Sequence, residues 1–277
     1  MEKQLTDLQT KMLEMMNWFH TFCIDNDITY YMIGGTMLGA ARHQGFIPWD
    51  DDIDIGIPRK DYDALVGLSA SLRNAGSRYL IESYKDGNID YQYAYAKVYD
   101  TSTTLIENRR SKPKRGLFID VFPLDGISGE TREEAVSNFA VINKKLNMLA
   151  ARTCDVRKGR SWWKNIAVKV VGLLPDSIMR YTKMIDELEA MCRLNDFYSS
   201  KYAGNLIGMW RDREIMPRAF FGNPVLYRFE NSSFYGVEKV DEYLKNVYGD
   251  WRKLPPIEKQ KSEHDFIFLD LEHSYLD

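Results

Sequence analysis

Asp50, Asp51, Asp52 and Asp54 put four carboxylates into five consecutive positions, the densest chemistry-bearing group in the chain. Strand side chains alternate faces, so an extended run sets Asp50, Asp52 and Asp54 on one side and Asp51 on the other. Like charges on one face repel, and removing them from water raises the cost. A hard divalent cation compensates, because carboxylate oxygens are its preferred ligands. Magnesium takes one or two protein carboxylates and completes its shell with water and substrate phosphates; manganese is the alternative ion. A solvated acidic turn is the plain reading of the same run. The preceding Gly34-Gly35-Thr36 shifts the balance. Glycines let a ligand approach the backbone, and the amides that open a helix suit a phosphate. A phosphate cradle and metal carboxylates in one strand–turn–strand unit point to metal-assisted transfer of a phosphorus group.

Other reactive side chains stand in positions that need explaining. Lys97 sits in the apolar run YQYAYAKVY, where a lysine must snorkel or meet an anion. Asp120 is the lone carboxylate of GLFIDVF, a buried strand by pattern, and requires a partner or a cation. Asp125, just beyond Pro123, reads as a turn residue and a secondary candidate. Arg42 is expected to clamp a phosphate or to pair with the aspartate run. His43 reads as a surface or hydrogen-bonded histidine. Arg109, Arg110, Lys112, Lys114 and Arg115 crowd around Pro113. They form a solvated loop or a surface for an anionic acceptor or lipid headgroups.

These residues must be positioned by recognisable elements. Tyr30 to Ile33 reads as a strand ended by Gly34-Gly35, Thr36 as the cap of a short helix over Met37 to Arg42, and Ile53 to Ile57 as a second strand. Leu5 to Cys23 carries a helical apolar stripe. Pro58 suits a helix start, with Arg59 and Lys60 on a solvated face. Tyr79 to Ser83 is expected to be a strand. Tyr91 to Tyr99 is expected to pair with Thr103 to Glu107 as a hairpin through residues 100–102. Thr131 and Glu134 form a capping box for a helix to about Ala151. After Arg152, Arg157, Lys158 and Arg160 comes SWWKNIAVKVVGLLP. Drawn as a helix, it gathers Trp162, Trp163, Ile166, Val170, Leu173 and Leu174 on one side. A core helix is the first expectation; with its cations the segment also resembles an interfacial membrane helix. Asp176 is expected to cap a further helix to about Leu194.

The chain has 277 residues, enough for one large domain or one domain with an appended part. Apolar residues make up 44% and charged residues 28%, ordinary for a globular protein. A net charge of −3 argues against nucleic acid as a partner. Cys23, Cys154 and Cys192 are an odd set without CxxC, so buried free thiols in a reducing cytoplasm are expected. The amphipathic, mixed-charge opening does not read as a signal peptide, and no apolar run has the roughly 18 residues of a membrane span.

The run GGT-x-LGA-x-R-H-x-GFIPWDDDIDI, within Tyr30 to Ile57, resembles the signature of LicD proteins, the phosphocholine transferases of bacterial surface glycans. Fukutin-related ribitol-phosphate transferases are more distant relatives, and the whole is similar to the nucleotidyltransferase superfamily. The tail YGDWRKLPPIEKQKSEHDF, Tyr248 to Phe266, resembles the end of LicD chains. The resemblance implies an α/β (α+β) fold: a nucleotidyltransferase-like mixed β-sheet core with flanking helices and a more helical C-terminal part. Residues 1–130 would form the catalytic core. Residues 131–277 would form a helical region plus a C-terminal segment returning to the active site. It also implies Asp52, Asp54 and Asp120 as catalytic ligands of Mg²⁺ or Mn²⁺. Gly34, Gly35, Thr36, Arg42 and Lys97 would hold phosphates, and His264 would help bind the substrate. The implied reaction moves phosphocholine from CDP-choline to a sugar hydroxyl of a teichoic acid or lipopolysaccharide precursor and releases CMP. The acceptor is expected to be lipid-linked and the enzyme cytoplasmic, with the inner face of the cell membrane as a candidate location. Transfer of NMP to a small acceptor, other cytidine-diphosphate alcohols such as ribitol phosphate, and a non-catalytic nucleotide- or glycan-binding scaffold are the alternatives.

Overall fold

The structure is a computed structural model that describes residues 5–88, 90–154, 161–175, 180–261 and 266–277. Its first helix, α1 (Asp7–Asp25), begins at a reciprocal cap: the Thr6 hydroxyl accepts the Gln9 amide, and the Gln9 side chain accepts the Thr6 amide. Then come β1 (Tyr31–Met32), α2 (Gly34–His43), β2 (Asp54–Pro58), α3 (Arg59–Gly67), α4 (Ser69–Asn74), β3 (Tyr79–Glu82), β4 (Ala96–Asp100), β5 (Thr104–Glu107), β6 (Lys114–Arg115) and β7 (Phe118–Ile127). The second half supplies α5 (Arg132–Thr153), α6 (Trp162–Leu173), α7 (Tyr181–Cys192), β8 (Tyr202–Gly204), β9 (Met216–Pro217), β10 (Val225–Phe229), β11 (Ser232–Gly236), α8 (Val240–Tyr248) and β12 (Phe266–Asp270).

The central sheet runs β10-β11-β1-β2-β7-β4-β3, and β8 and β9 extend from the far half of β7. It is mixed: β11–β1 and β2–β7 are parallel, and the other pairs are antiparallel. The fold is therefore the expected α+β class. The C-terminal half contributes β8 to β11 to this same sheet. One apolar core joins the sheet to α1, α3 and α8; a second lies between α5 and α7, closed by Ile127, Leu206 and Ile215. Cys23 and Cys192 are buried free thiols, and burial pushes both above the usual thiol range.

Several expectations change. The 91–107 hairpin does not form. β4 has both edges taken, by β3 and β7, so β5 pairs instead with β6 and β12 in a separate three-stranded sheet. α2 starts at Gly34, with Ile33 as its cap residue, so Thr36 lies inside the helix and does not cap it. β7 continues through Pro123 to Ile127, which makes Asp125 a buried strand residue and not part of a turn. Asp125 is held by Arg59 at 2.6 and 2.8 Å, and Arg59 also reaches Glu189 at 3.2 Å. Arg59 is thus a partly buried ion-pair residue and not part of a solvated helix face. The Asp176 cap lies outside the described residues, and α7 begins at Tyr181.

Candidate active site

Strand register assembles the site. Parallel pairing of β2 with β7 sets Asp54 beside Asp120. Antiparallel pairing of β4 with β7 sets Lys97 opposite Asp120, and β3 then sets Glu82 opposite Lys97. Directly paired residues share a face. The sheet therefore carries one lateral row of charges: Asp54, Asp120, Lys97, Glu82. Arg115 extends it by holding Glu82 at 2.7 and 3.1 Å.

Lys97 is 1% exposed and does not snorkel. Its ammonium lies 2.9 Å from Asp120 Oδ1 and 3.6 Å from Glu107 Oε1. The Phe118 and Tyr93 rings flank it. The anion it meets here is a carboxylate of the site. The Tyr95 hydroxyl reaches Asp120 Oδ2 at 3.5 Å, and the Tyr93 hydroxyl donates to Glu107.

Asp54 is in the opposite condition. Among the described residues no cation pairs with it. Burial raises its carboxyl well above the usual carboxylate range, and the charges of Asp52, Asp120 and Asp50 raise it further. Burial raises Asp120 as well, against the pull of Lys97. The start of α2 faces these acids. A Cβ on Gly34 would lie 3.0 Å from Asp54 Oδ2, and one on Gly35 would lie 2.8 Å from Asp50 Oδ2. Gly34 also takes φ +53°, a left-handed conformation that glycine adopts without strain.

Thr36 and Arg42 both tie the site together. The Thr36 hydroxyl accepts the Asp54 amide at 2.8 Å, fixing α2 against β2. Arg42 donates to the Trp251 carbonyl at 2.8 Å and to His43 Nε2 at 3.0 Å, which joins α2 to the tail motif. Its pairing with the aspartate run is not seen among the described residues. From α8, the Tyr243 hydroxyl accepts the Gly34 amide at 2.9 Å. From α1, the Gln9 side chain donates to the Asp50 carbonyl at 3.0 Å. His264 lies outside the described residues.

The donor set suits a hard cation of low ligand demand. Among the described residues no three His, Cys, Asp or Glu side chains converge closely enough to form a preassembled cage. The register brings together the pair Asp54 and Asp120, with Asp52 two residues before. Two carboxylates match what magnesium takes from protein when phosphate oxygens and water complete its shell.

Sequence patterning missed Glu82, Glu107, Tyr243 and Gln9. Glu107 was detectable in principle, since it ends the apolar strand TLIE. Glu214 was also missed. It is 7% exposed, it accepts the Trp210 amide at 2.9 Å, and burial pushes its carboxyl up to about 7. Its charge acts on both Asp54 and Tyr243. The basic loop turns inward more than expected. Arg109 stacks on Tyr93 and bonds Thr153, while Arg115 pairs with Glu82 and Asp90.

Residues 27–147 match the model of the LicD/FKTN/FKRP nucleotidyltransferase domain. Over 263 residues, 94% of this chain and 96% of the relative, the sequence is 29% identical to a lipopolysaccharide cholinephosphotransferase LicD of Haemophilus influenzae. Human and mouse ribitol 5-phosphate transferase FKRP are 48% identical over 48 residues, covering 17% of this chain and 9% of each relative. An uncharacterised Rickettsia prowazekii protein is 50% identical over 48 residues, 17% of this chain and 18% of its own.

Proposed function

We propose that this chain is a LicD-family enzyme that transfers phosphocholine from CDP-choline to a sugar hydroxyl of a bacterial cell-surface glycan precursor and releases CMP. The observation that carries the reading is Asp54: a partly buried carboxylate with no cation paired to it among the described residues, crowded by acids and facing the start of α2. A divalent cation with a diphosphate would satisfy that charge. The similarity to a lipopolysaccharide cholinephosphotransferase over nearly the full chain supports phosphocholine as the transferred group and favours lipopolysaccharide over teichoic acid as the acceptor class.

Asp54 and Asp120, with Asp52, would hold Mg²⁺ or Mn²⁺. Bound there, the ion would neutralise charge on the diphosphate and on the departing CMP. Gly34 and Gly35 put no Cβ beside Asp54 and Asp50, and the Gly35 and Thr36 amides in the first turn of α2 would bind phosphate oxygens. Thr36 holds Asp54 in place through its amide. Lys97 keeps Asp120 compensated and aligned. The acceptor oxygen forms a bond to the choline-bearing phosphorus as the bond from that phosphorus to the CMP oxygen breaks. CMP leaves with the electron pair, and we assign Asp120 to receive the hydroxyl proton. Arg42 shapes the entrance by holding the tail at Trp251.

The test is CMP release from CDP-choline with Mg²⁺ and a lipopolysaccharide-type acceptor, with EDTA and Asp54→Asn as controls. Metal-dependent release lost in Asp54→Asn supports the proposal. Pyrophosphate release from CTP would favour NMP transfer instead. CMP release from CDP-ribitol but not from CDP-choline would move the reading toward the FKRP-like donor. Binding of CDP-choline without turnover on any acceptor would leave a binding scaffold.

A further inference from the structure

We infer that α6 docks the protein on a lipid bilayer, laying its apolar face into the headgroup region of a membrane that contains anionic lipid. The helix has 12 residues, and the large apolar side chains along one of its sides are exposed. Trp162 is 75% exposed, Trp163 56%, Ile166 51%, Val170 56% and Leu173 84%. At 100° per residue these five side chains fall within an arc of about 100°. The expectation of a core helix is thereby reversed: periodicity identified an apolar face, and among the described residues that face stays exposed.

The helix is held from behind. Val168, on the opposite side, is 5% exposed. Arg110 donates to the Val168 carbonyl at 2.9 Å and the Cys154 carbonyl at 3.2 Å, and Arg152 reaches the carbonyls of Val171 and Gly172 at 3.3 Å. These contacts fix which side of α6 faces away from the protein. The apolar surface continues onto α5 through a groove lined by Met148, Ala151 and Val171, and Met148 is itself 42% exposed.

Length and charge select the occupant. Twelve residues rise about 18 Å, too short for a hydrocarbon core of roughly 30 Å but suited to lying in its surface. Among the described residues no helix is long and apolar enough to cross a membrane. Tryptophans at one end of an apolar helix favour the interface, where the ring is buried and its N–H stays hydrated. In the sequence from Arg152 to Lys169, six cations (Arg152, Arg157, Lys158, Arg160, Lys164, Lys169) face one anion, Asp155, in a chain of net charge −3. A second copy docked about a two-fold axis would bring two such segments together and repel. An anionic bilayer attracts a segment of that net charge. The docking requires nothing of the chemistry at Asp54. It would bring the catalytic protein to wherever a membrane-bound substrate lies.

The test uses the whole protein with vesicles of equal parts phosphatidylglycerol and phosphatidylcholine, and with phosphatidylcholine alone. The expected result is co-flotation with the anionic vesicles at low salt and quenching of tryptophan emission by brominated acyl chains. The double variant Ile166→Glu, Val170→Glu, which alters only exposed positions, is expected to weaken binding about tenfold or more. Trp162→Phe with Trp163→Phe is expected to keep binding and lose most of the quenching. Absence of binding by the wild type at low salt overturns the inference. So does binding unchanged by the glutamate pair, or quenching that persists without the two tryptophans. Vesicle-free self-association that the glutamate pair abolishes would assign the face to a second copy and likewise overturn it.

Discussion

Replacing Lys97 with methionine isolates the charge row at the centre of the sheet. Methionine keeps most of the length and apolar stem and removes the ammonium. The two ion pairs it deletes lie at 2.9 Å to Asp120 and 3.6 Å to Glu107. At an effective dielectric of about 20 their gross attraction is about 6 and 5 kcal/mol. Most of that offsets the desolvation of the three groups, so the net effect is smaller. The variant leaves Asp120 buried without its cation, which costs about 3–5 kcal/mol, while Glu107 keeps the Tyr93 hydroxyl. Urea unfolding in EDTA, followed by tryptophan fluorescence, should therefore show a midpoint lowered by about 1 M or more. Adding Asp120→Asn to Lys97→Met should recover at least about 2 kcal/mol of the loss, because the stranded charge is then gone. Mg²⁺ should stabilise Lys97→Met more than the wild type, since the variant lacks the ammonium beside Asp120. A loss below about 1 kcal/mol, additive single variants, or equal stabilisation of both proteins by Mg²⁺ would refute the reasoning.

Three further outcomes are expected. Asp54→Asn should reduce metal-dependent CMP release at least about a hundredfold. It should not lower the melting temperature, because it relieves repulsion among Asp50, Asp52 and Asp120; a destabilised variant would make Asp54 a structural residue. Gly35→Ala puts a Cβ 2.8 Å from Asp50 Oδ2. It is expected to raise the KM for CDP-choline about tenfold while stability changes by less than about 1 kcal/mol, read by steady-state kinetics beside thermal melts. Glu214 is raised from 4.5 to about 7, so its folded form holds the proton more tightly than the unfolded chain does. The penalty for its charge is then fully present above pH 7 and disappears as pH falls toward 4.5. Relative to Glu214→Gln, the wild type should lose up to about 3 kcal/mol of stability between pH 5 and pH 8; a flat difference across that range would contradict the assignment.

Local chemistry was legible in the sequence wherever one short stretch contained the whole reason. The aspartate run, the two glycines before it and the lone Asp120 in an apolar strand each stood out locally; register sets Asp54 beside Asp120, and Asp120 meets Lys97. Thr36 misled because a threonine after Gly-Gly has the local signature of a cap, whereas its hydroxyl is claimed by the Asp54 amide from another element. The apolar stripe of α6 was correctly drawn and wrongly covered. A core helix and an interfacial helix share the same periodicity, and only the packing of the remaining chain says which face is left open. The loop arginines were ambiguous for a similar reason: Arg109 and Arg110 are absorbed by the ends of α5 and α6, which the sequence places far downstream.

The charge row was hidden for a deeper reason. Its members come from four strands, and their adjacency is set by strand order and register, which no window of sequence contains. Once the order β2-β7-β4-β3 is given, the residue types become mutually necessary. Two carboxylates side by side in the middle of a sheet are unfavourable unless each has a cation. Lys97 supplies one permanently, on the β4 side of Asp120. Nothing on the β1 side can do the same for Asp54, because the residue next to it there is Ile33, whose amide donates to the Asp54 carbonyl at 3.1 Å. The fold therefore compensates one acid internally and, among the described residues, pairs no cation with the other, which is where the proposed metal ion would sit. That asymmetry predicts unequal substitutions. Asp120→Asn removes the nearer of the two carboxylates on Lys97 and should be felt in both stability and turnover. Asp54→Asn strands nothing and should be felt in turnover alone.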